Sequence, residues 1–226
     1  MGVLALCNHT TSDLGFLAER FEHHGIGPVT KIFREDFGHW PEPTDFDLLV
    51  STGSLWSVLE DKRAASLRHE GELYQSAISG AVPVLAICYG AHTLGVALGA
   101  PTRTAPRPEA GFVVTDTADP TLIPAGPWLT WHSDLLSVPC GATVVARTPA
   151  APQAYTTGRT LAVQFHPELT PSELENWISR GAEWLCEHHV DTDNLLEEAA
   201  RQEPALRERT YSLFDTFWPG MARSTS

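Results

Sequence analysis

The chain has 226 residues, with 15 Lys and Arg against 28 Asp and Glu and a formal net charge of −13. That excess of negative charge repels phosphate backbones and anionic lipid surfaces, so nucleic-acid and membrane-surface functions are excluded. No apolar run reaches membrane-spanning length, and the chain opens on an apolar strand in place of a basic leader.

The length suffices for one substantial α/β core. The cysteines at positions 7, 88, 140 and 186 are scattered, with no close C-x-x-C pair. A reducing, cytoplasmic setting is therefore expected, with no disulfide framework, metal site or cofactor. The adjacent pairs His23-His24 and His188-His189 lack a metal-spaced partner and read as solvated helix-end residues.

In chain order, Val3–Cys7 reads as a strand, Asp13–His24 as an amphipathic helix ended by Gly25, and Pro28–Phe33 as a second strand. Residues 37–44, rich in Pro and Gly, read as a loop. Asp47–Val50 follows as a buried strand, and Asp61–Ser79 as a helix stopped by Gly80. An apolar run from Pro83 then ends at Cys88, with a helix-like stretch to Leu98 directly behind it. This alternation predicts a mostly parallel sheet covered on both faces. From Pro101 to Arg159 the texture changes to short strands (Gly111–Thr115, Trp128–Trp131 and Thr143–Arg147), predicting a small antiparallel extension. The segment Thr170-Pro-Ser-Glu173 is a capping box with Pro at the first helical position, launching a helix over Ser172–His188. In the tail Asp193–Trp218, an acidic helical patch precedes Leu206, Leu213, Phe214, Phe217 and Trp218, a stripe expected to fold back on the domain.

Two segments carry chemistry. In Pro83-Val-Leu-Ala-Ile-Cys-Tyr-Gly-Ala-His92, a strand turning sharply into a helix lifts Cys88 above the sheet edge and aims the first helical N–H groups toward it. The positive end of the helix dipole favours thiolate at such a position. Ala86 and Gly90 supply the small residues that the bend requires. In Leu161-Ala-Val-Gln-Phe-His-Pro-Glu168, read as an apolar strand, His166 and Glu168 stand two apart and project to one side. Glu168 then orients the imidazole and stabilises its protonated form. Nucleophile, base and orienting carboxylate all fall at carboxyl ends of strands, where open α/β sheets place their sites.

These motifs resemble the class I glutamine amidotransferases, the Cys-His-Glu triad family, and in particular a stand-alone domain like the glutaminase of GMP synthase. Ala86-Ile-Cys-Tyr-Gly-Ala-His92 stands where the family usually shows G-x-C-x-G-x-Q, and Gln164-Phe-His-Pro-Glu168 is similar to its QFHPE. Ser51-Thr-Gly-Ser-Leu-Trp-Ser-Val58 resembles its oxyanion loop, and Trp131-His-Ser-Asp134 its SHxD-like segment. The likeness runs from Val3 to about Trp184. It implies a flavodoxin-like α/β domain over residues 1–190, with residues 191–226 as a helical tail packed on it. It also implies Cys88, His166 and Glu168 as the catalytic set, backbone N–H groups of Gly53 and Tyr89 as the oxyanion hole, and His92 and His132 as substrate contacts. Ala86 and His92 depart from the family pattern. His92 replaces the glutamine that helps hold the α-amino acid end of the substrate, which puts strict glutamine specificity in question. Three readings follow: an amidotransferase subunit passing ammonia to a synthetase or ligase partner, a free-standing γ-glutamyl amide or peptide hydrolase, and an inactive regulatory homologue.

Overall fold

The structure, a computed structural model, describes residues 1–8, 13–36, 38 and 40–221. Phe37 and His39 of the expected loop lie outside the described residues. Five strands form a parallel half-sheet: β1 (Val3–Cys7), β2 (Val29–Phe33), β3 (Leu48–Ser51), β4 (Val84–Ile87) and, from far down the chain, β10 (Thr160–Val163). Their order is β2-β1-β3-β4-β10, the doubly wound arrangement of flavodoxin-like folds. Beyond β10 the sheet continues antiparallel through β9 (Pro152–Thr157), β8 (Thr143–Arg147) and β6 (Asp116–Thr117). A separate antiparallel pair joins β5 (Arg103–Val113) to β7 (Trp128–Leu135). The expected fold class is the one observed. β5 and β7 run longer than expected because they pair with each other along most of their length, and β6 and β9 were not anticipated.

The inner parallel strands β1, β3, β4 and β10 are buried, largely apolar runs because both faces are covered, whereas the edge strand β2 carries Thr30 and Lys31 and is only partly buried. On one face Val3, Ala5, Val50, Leu85, Ile87 and Val163 pack with Phe16, Leu17 and Phe21 of helix α1 (Gly15–His23). On the other, Leu4, Leu6, Leu49, Val84 and Ala86 pack with helices α2 (Ala64–Ser79) and α3 (Tyr89–Ala97). Adjacent residues of one strand thus belong to different cores, as a period of two demands. Helix α2 begins with a single 3-10 turn at Asp61–Arg63.

The expected helix over Ser172–His188 is two helices, α4 (Pro171–Arg180) and α5 (Ala182–Glu187), broken at Gly181. The break has a tertiary cause. A Cβ on Gly181 would lie 2.6 Å from the Trp131 ring, so the backbone there is pressed against an aromatic wall. The capping box is half realised. Thr170 Oγ1 accepts from the Glu173 N–H at 3.3 Å, but the Glu173 carboxylate turns to Trp177 Nε1 and Asn176 Nδ2.

Helix α6 (Thr192–Met221) is continuous through Pro204. An interior proline costs about 3 kcal/mol, whereas each large apolar side chain buried gives roughly 1.5–3 kcal/mol. Leu206, Leu213, Phe214 and Phe217 are all buried in the core cluster of α1 and β1, so packing outweighs the proline. His24, expected to be solvated, contacts Asp215 of α6 at 2.7 Å, and Arg20 also pairs with that carboxylate.

Candidate active site

At the end of β4 the chain turns directly into α3, and Cys88 occupies the turn with φ 49° and ψ −110°. A non-glycine residue there is strained by about 1–3 kcal/mol. Neighbouring hydrogen bonds hold it: Cys88 N–H donates to the Val163 carbonyl at 2.7 Å, and its own carbonyl accepts from His92 N–H at 3.0 Å. The close approach also explains Gly90. A Cβ at that position would fall 2.4 Å from the Ser51 carbonyl oxygen. Tyr89 is the first helical residue, so its N–H has no intrahelical acceptor and points out of the helix end.

His166 and Glu168 do not extend the strand as expected. β10 ends at Val163, and residues 164–168 form a bent segment held from four directions. Gln164 N–H donates to Gln153, His166 N–H to Leu129, and Phe16 N–H to the Glu168 carbonyl. Thr210 Oγ1 of α6 donates to the Pro167 carbonyl at 2.6 Å. Gly15, at φ 45°, permits the Phe16 contact, since a Cβ there would sit 2.0 Å from the Glu168 oxygen. Gly15 and Thr210 were missed in the sequence because each acts only on a distant backbone carbonyl.

Within this clamp His166 Nδ1 lies 2.9 Å from Glu168 Oε1, with both side chains buried. Trp177 meets the imidazole edge-on, ring centres 4.7 Å apart. Nε2 has no protein partner and is the nitrogen free to exchange a proton with sulfur. Burial alone would lower the His166 pKa, but the charges of Glu168 and Cys88 outweigh it and lift the value to about 10. Cys88 Sγ stands 3.6 Å from both Gln164 Nε2 and the Trp131 carbonyl. Gly53 packs against both side chains: a Cβ on it would come 2.6 Å from His166 Cε1 and 3.4 Å from Cys88 Cβ. Gly53→Ala is therefore expected to push the imidazole aside and lower turnover at least about 100-fold, a cost typical of a misplaced catalytic group. Steady-state kinetics together with a thermal melt separate this from unfolding.

Cys88 opens onto a cavity of about 330 Å³. One wall is the Ser54–Ser57 loop with Glu60, another is Tyr89 and His92 of α3, and a third is Trp131–Asp134 of β7. Arg180, Gly181, Glu183 and Trp184, around the α4–α5 break, complete it. His92 lies one turn along α3 from Cys88, buried, with no hydrogen-bond partner on either ring nitrogen. Burial, reinforced by the nearby His132, lowers its pKa to about 3, so it is neutral at ordinary pH. His132 is fixed between the Asp134 carbonyl and Glu109, at 3.0 Å from each. Asp134 accepts from Ser57 Oγ at 2.5 Å, tying β7 to the Ser54–Ser57 loop. The structure thus brings Cys88, Tyr89, His92 and His132 to one cavity, with Gly53 and His166 packed beside Cys88 and Glu168 paired to His166.

An elbow cysteine and a carboxylate-backed imidazole at the end of a doubly wound parallel sheet define a flavodoxin-like α/β protein with a Cys-His-Glu cluster. The family model for glutamine amidotransferase class-I matches residues 61–182, and the chain belongs to that family. The GMP synthase [glutamine-hydrolyzing] of Aeropyrum pernix is 32% identical over 140 residues, covering 56% of this chain and 25% of that protein. A counterpart from Thermus thermophilus is 33% identical over 147 residues, covering 58% and 27%. The chain thus spans about a quarter of the length of the curated relatives it matches. In fold it is similar to the crystal structure of a glutamine amidotransferase from Thermotoga maritima, with TM-score 0.84, 23% identity, and coverage of 96% of this chain and 97% of that one. Among the described residues, no helix is long and apolar enough to cross a membrane.

Proposed function

We propose that the chain hydrolyses a γ-glutamyl carboxamide, with glutamine as the leading substrate, through a thioester on Cys88. One observation carries this reading: His166, backed by Glu168, presents a free nitrogen beside a strained elbow cysteine at the wall of a cavity. With its proton already resting on the His166 imidazolium, the Cys88 thiolate attacks the γ-carbonyl, forming the S–C bond as the carbonyl π pair moves onto oxygen. The Gly53 and Tyr89 N–H groups receive the oxyanion, a contribution worth roughly 3–4 kcal/mol per donor. His166 then protonates the departing nitrogen, and ammonia leaves. Water, deprotonated by the now neutral imidazole, cleaves the thioester, expelling the sulfur as thiolate and restoring the imidazolium. Residues 1–190 supply the site, and α6, as a tail packed on that unit, braces it through Thr210.

In the amidotransferase form of this reading, a synthetase or ligase partner receives the ammonia. A second form, a free-standing γ-glutamyl amide hydrolase, draws on the neutral, unpartnered His92 at the position that would grip the amino acid end of glutamine. The inactive reading is opposed by the intact Cys88, His166 and Glu168 arrangement. Purified chain assayed with glutamine and with bulky γ-glutamyl amides decides among them. Glutamine turnover supports the first form, and partner-free turnover of bulky amides with glutamine ignored supports the second. Inertness toward all of them defeats the hydrolase proposal. His92→Gln is expected to raise kcat/KM for glutamine about tenfold, the worth of one added hydrogen bond. No rise would remove His92 from the specificity determinants.

A further inference from the structure

Beneath the elbow lies a polar layer that the mechanism above does not use. Arg34 follows β2, Glu70 sits on α2, and both side chains are fully buried. Arg34 Nε donates to Glu70 Oε2 at 3.3 Å, while Nη2 donates at 2.9 Å to both Ser51 Oγ and the Thr52 carbonyl. Ser66 Oγ donates to the other Glu70 oxygen at 3.0 Å. The layer continues sideways: the single Tyr74 O–H proton donates to Ser51 Oγ at 2.7 Å, and the phenolic oxygen lies 3.3 Å from the Gly90 carbonyl and 2.8 Å from Thr93 Oγ1. The guanidinium also faces the Tyr89 ring at 5.0 Å.

One network therefore grips the backbone on both sides of the reacting centre. Ser51 and Thr52 immediately precede Gly53, and Tyr89, Gly90 and Thr93 begin α3. A buried ion pair is weak evidence for stability, because desolvating two charges costs about as much as their attraction returns. Its place between two backbone segments gives it another role. Resting on the hydrolase reading, we propose that Arg34, held by Glu70, is a positioning residue that sets the spacing of the Gly53 and Tyr89 N–H groups around the oxyanion. The planar fork matters as much as the charge, since it meets a carboxylate, a hydroxyl and a carbonyl at once. A lysine ammonium cannot match that geometry.

The test uses the full chain carrying Arg34→Met with Glu70→Leu, which removes both charges together, and separately Arg34→Lys. Folding is checked by circular dichroism. Two rates are compared: ammonia release from a γ-glutamyl carboxamide, and alkylation of Cys88 by iodoacetamide. Alkylation forms an S–C bond and expels iodide without any oxyanion. In both variants kcat is expected to fall about 100-fold with KM changed less than about threefold, while alkylation stays within about twofold of wild type. A folded double variant with wild-type kcat overturns the proposal, as does alkylation that falls in step with hydrolysis, or full activity in Arg34→Lys. A wild-type chain that releases no ammonia overturns the hydrolase reading itself, an outcome distinct from a working wild type whose variants match it.

Discussion

Replacing Cys88 with alanine is expected to lower ammonia release from a γ-glutamyl carboxamide by at least about 10⁴-fold, because removing the proposed nucleophile of a coupled set leaves only residual binding and oxyanion effects. The fold is expected to survive. Alanine is no worse than cysteine at the φ of 49°, and the backbone bonds to Val163 and His92 do not involve the thiol. The check pairs a turnover assay with a thermal melt. An unchanged melt with activity gone is the expected pattern, and unchanged activity dismisses covalent catalysis by this sulfur.

Glu168→Gln is expected to cost about 10³–10⁴-fold in kcat, since a carboxamide can turn its NH₂ toward His166 and hold the wrong tautomer. A second signature distinguishes it. The His166 pKa is raised in the folded chain, to about 10, against burial and by the charges of Glu168 and Cys88. A raised value contributes stability that is complete below the unfolded imidazole pKa of about 6.5 and disappears as pH climbs toward 10. Removing the Glu168 charge lowers the folded value, so the fall in melting temperature between those limits is expected to flatten in the variant. An equally steep fall in both proteins contradicts the assigned pairing.

Much of this arrangement could be read from local sequence. The buried parallel strands are short apolar runs whose side chains alternate between two cores, and the elbow shows as a strand ending on Cys88 with a helix directly behind. His166 and Glu168 were found two apart, although their alignment comes from a bent segment past β10 and not from strand geometry. The features that escaped share a physical cause, in that each is decided by a partner far along the chain. Gly181 breaks a helix because of Trp131, and Gly15 is required by the Glu168 carbonyl. The lengths of β5 and β7 follow from their mutual pairing. Arg34 and Glu70 carry the side chains most often solvated, and only the folded chain places them together under the elbow.

The proposed acyl intermediate gives the most direct test. Wild-type chain mixed with a slowly released γ-glutamyl amide, quenched in acid within the first turnover and digested, can be weighed peptide by peptide. The account predicts one γ-glutamyl group on the peptide carrying Cys88, absent from Cys88→Ala and accumulating when deacylation is slowed. Turnover proceeding with that peptide unmodified at every time, or with the acyl group on another residue, would contradict it.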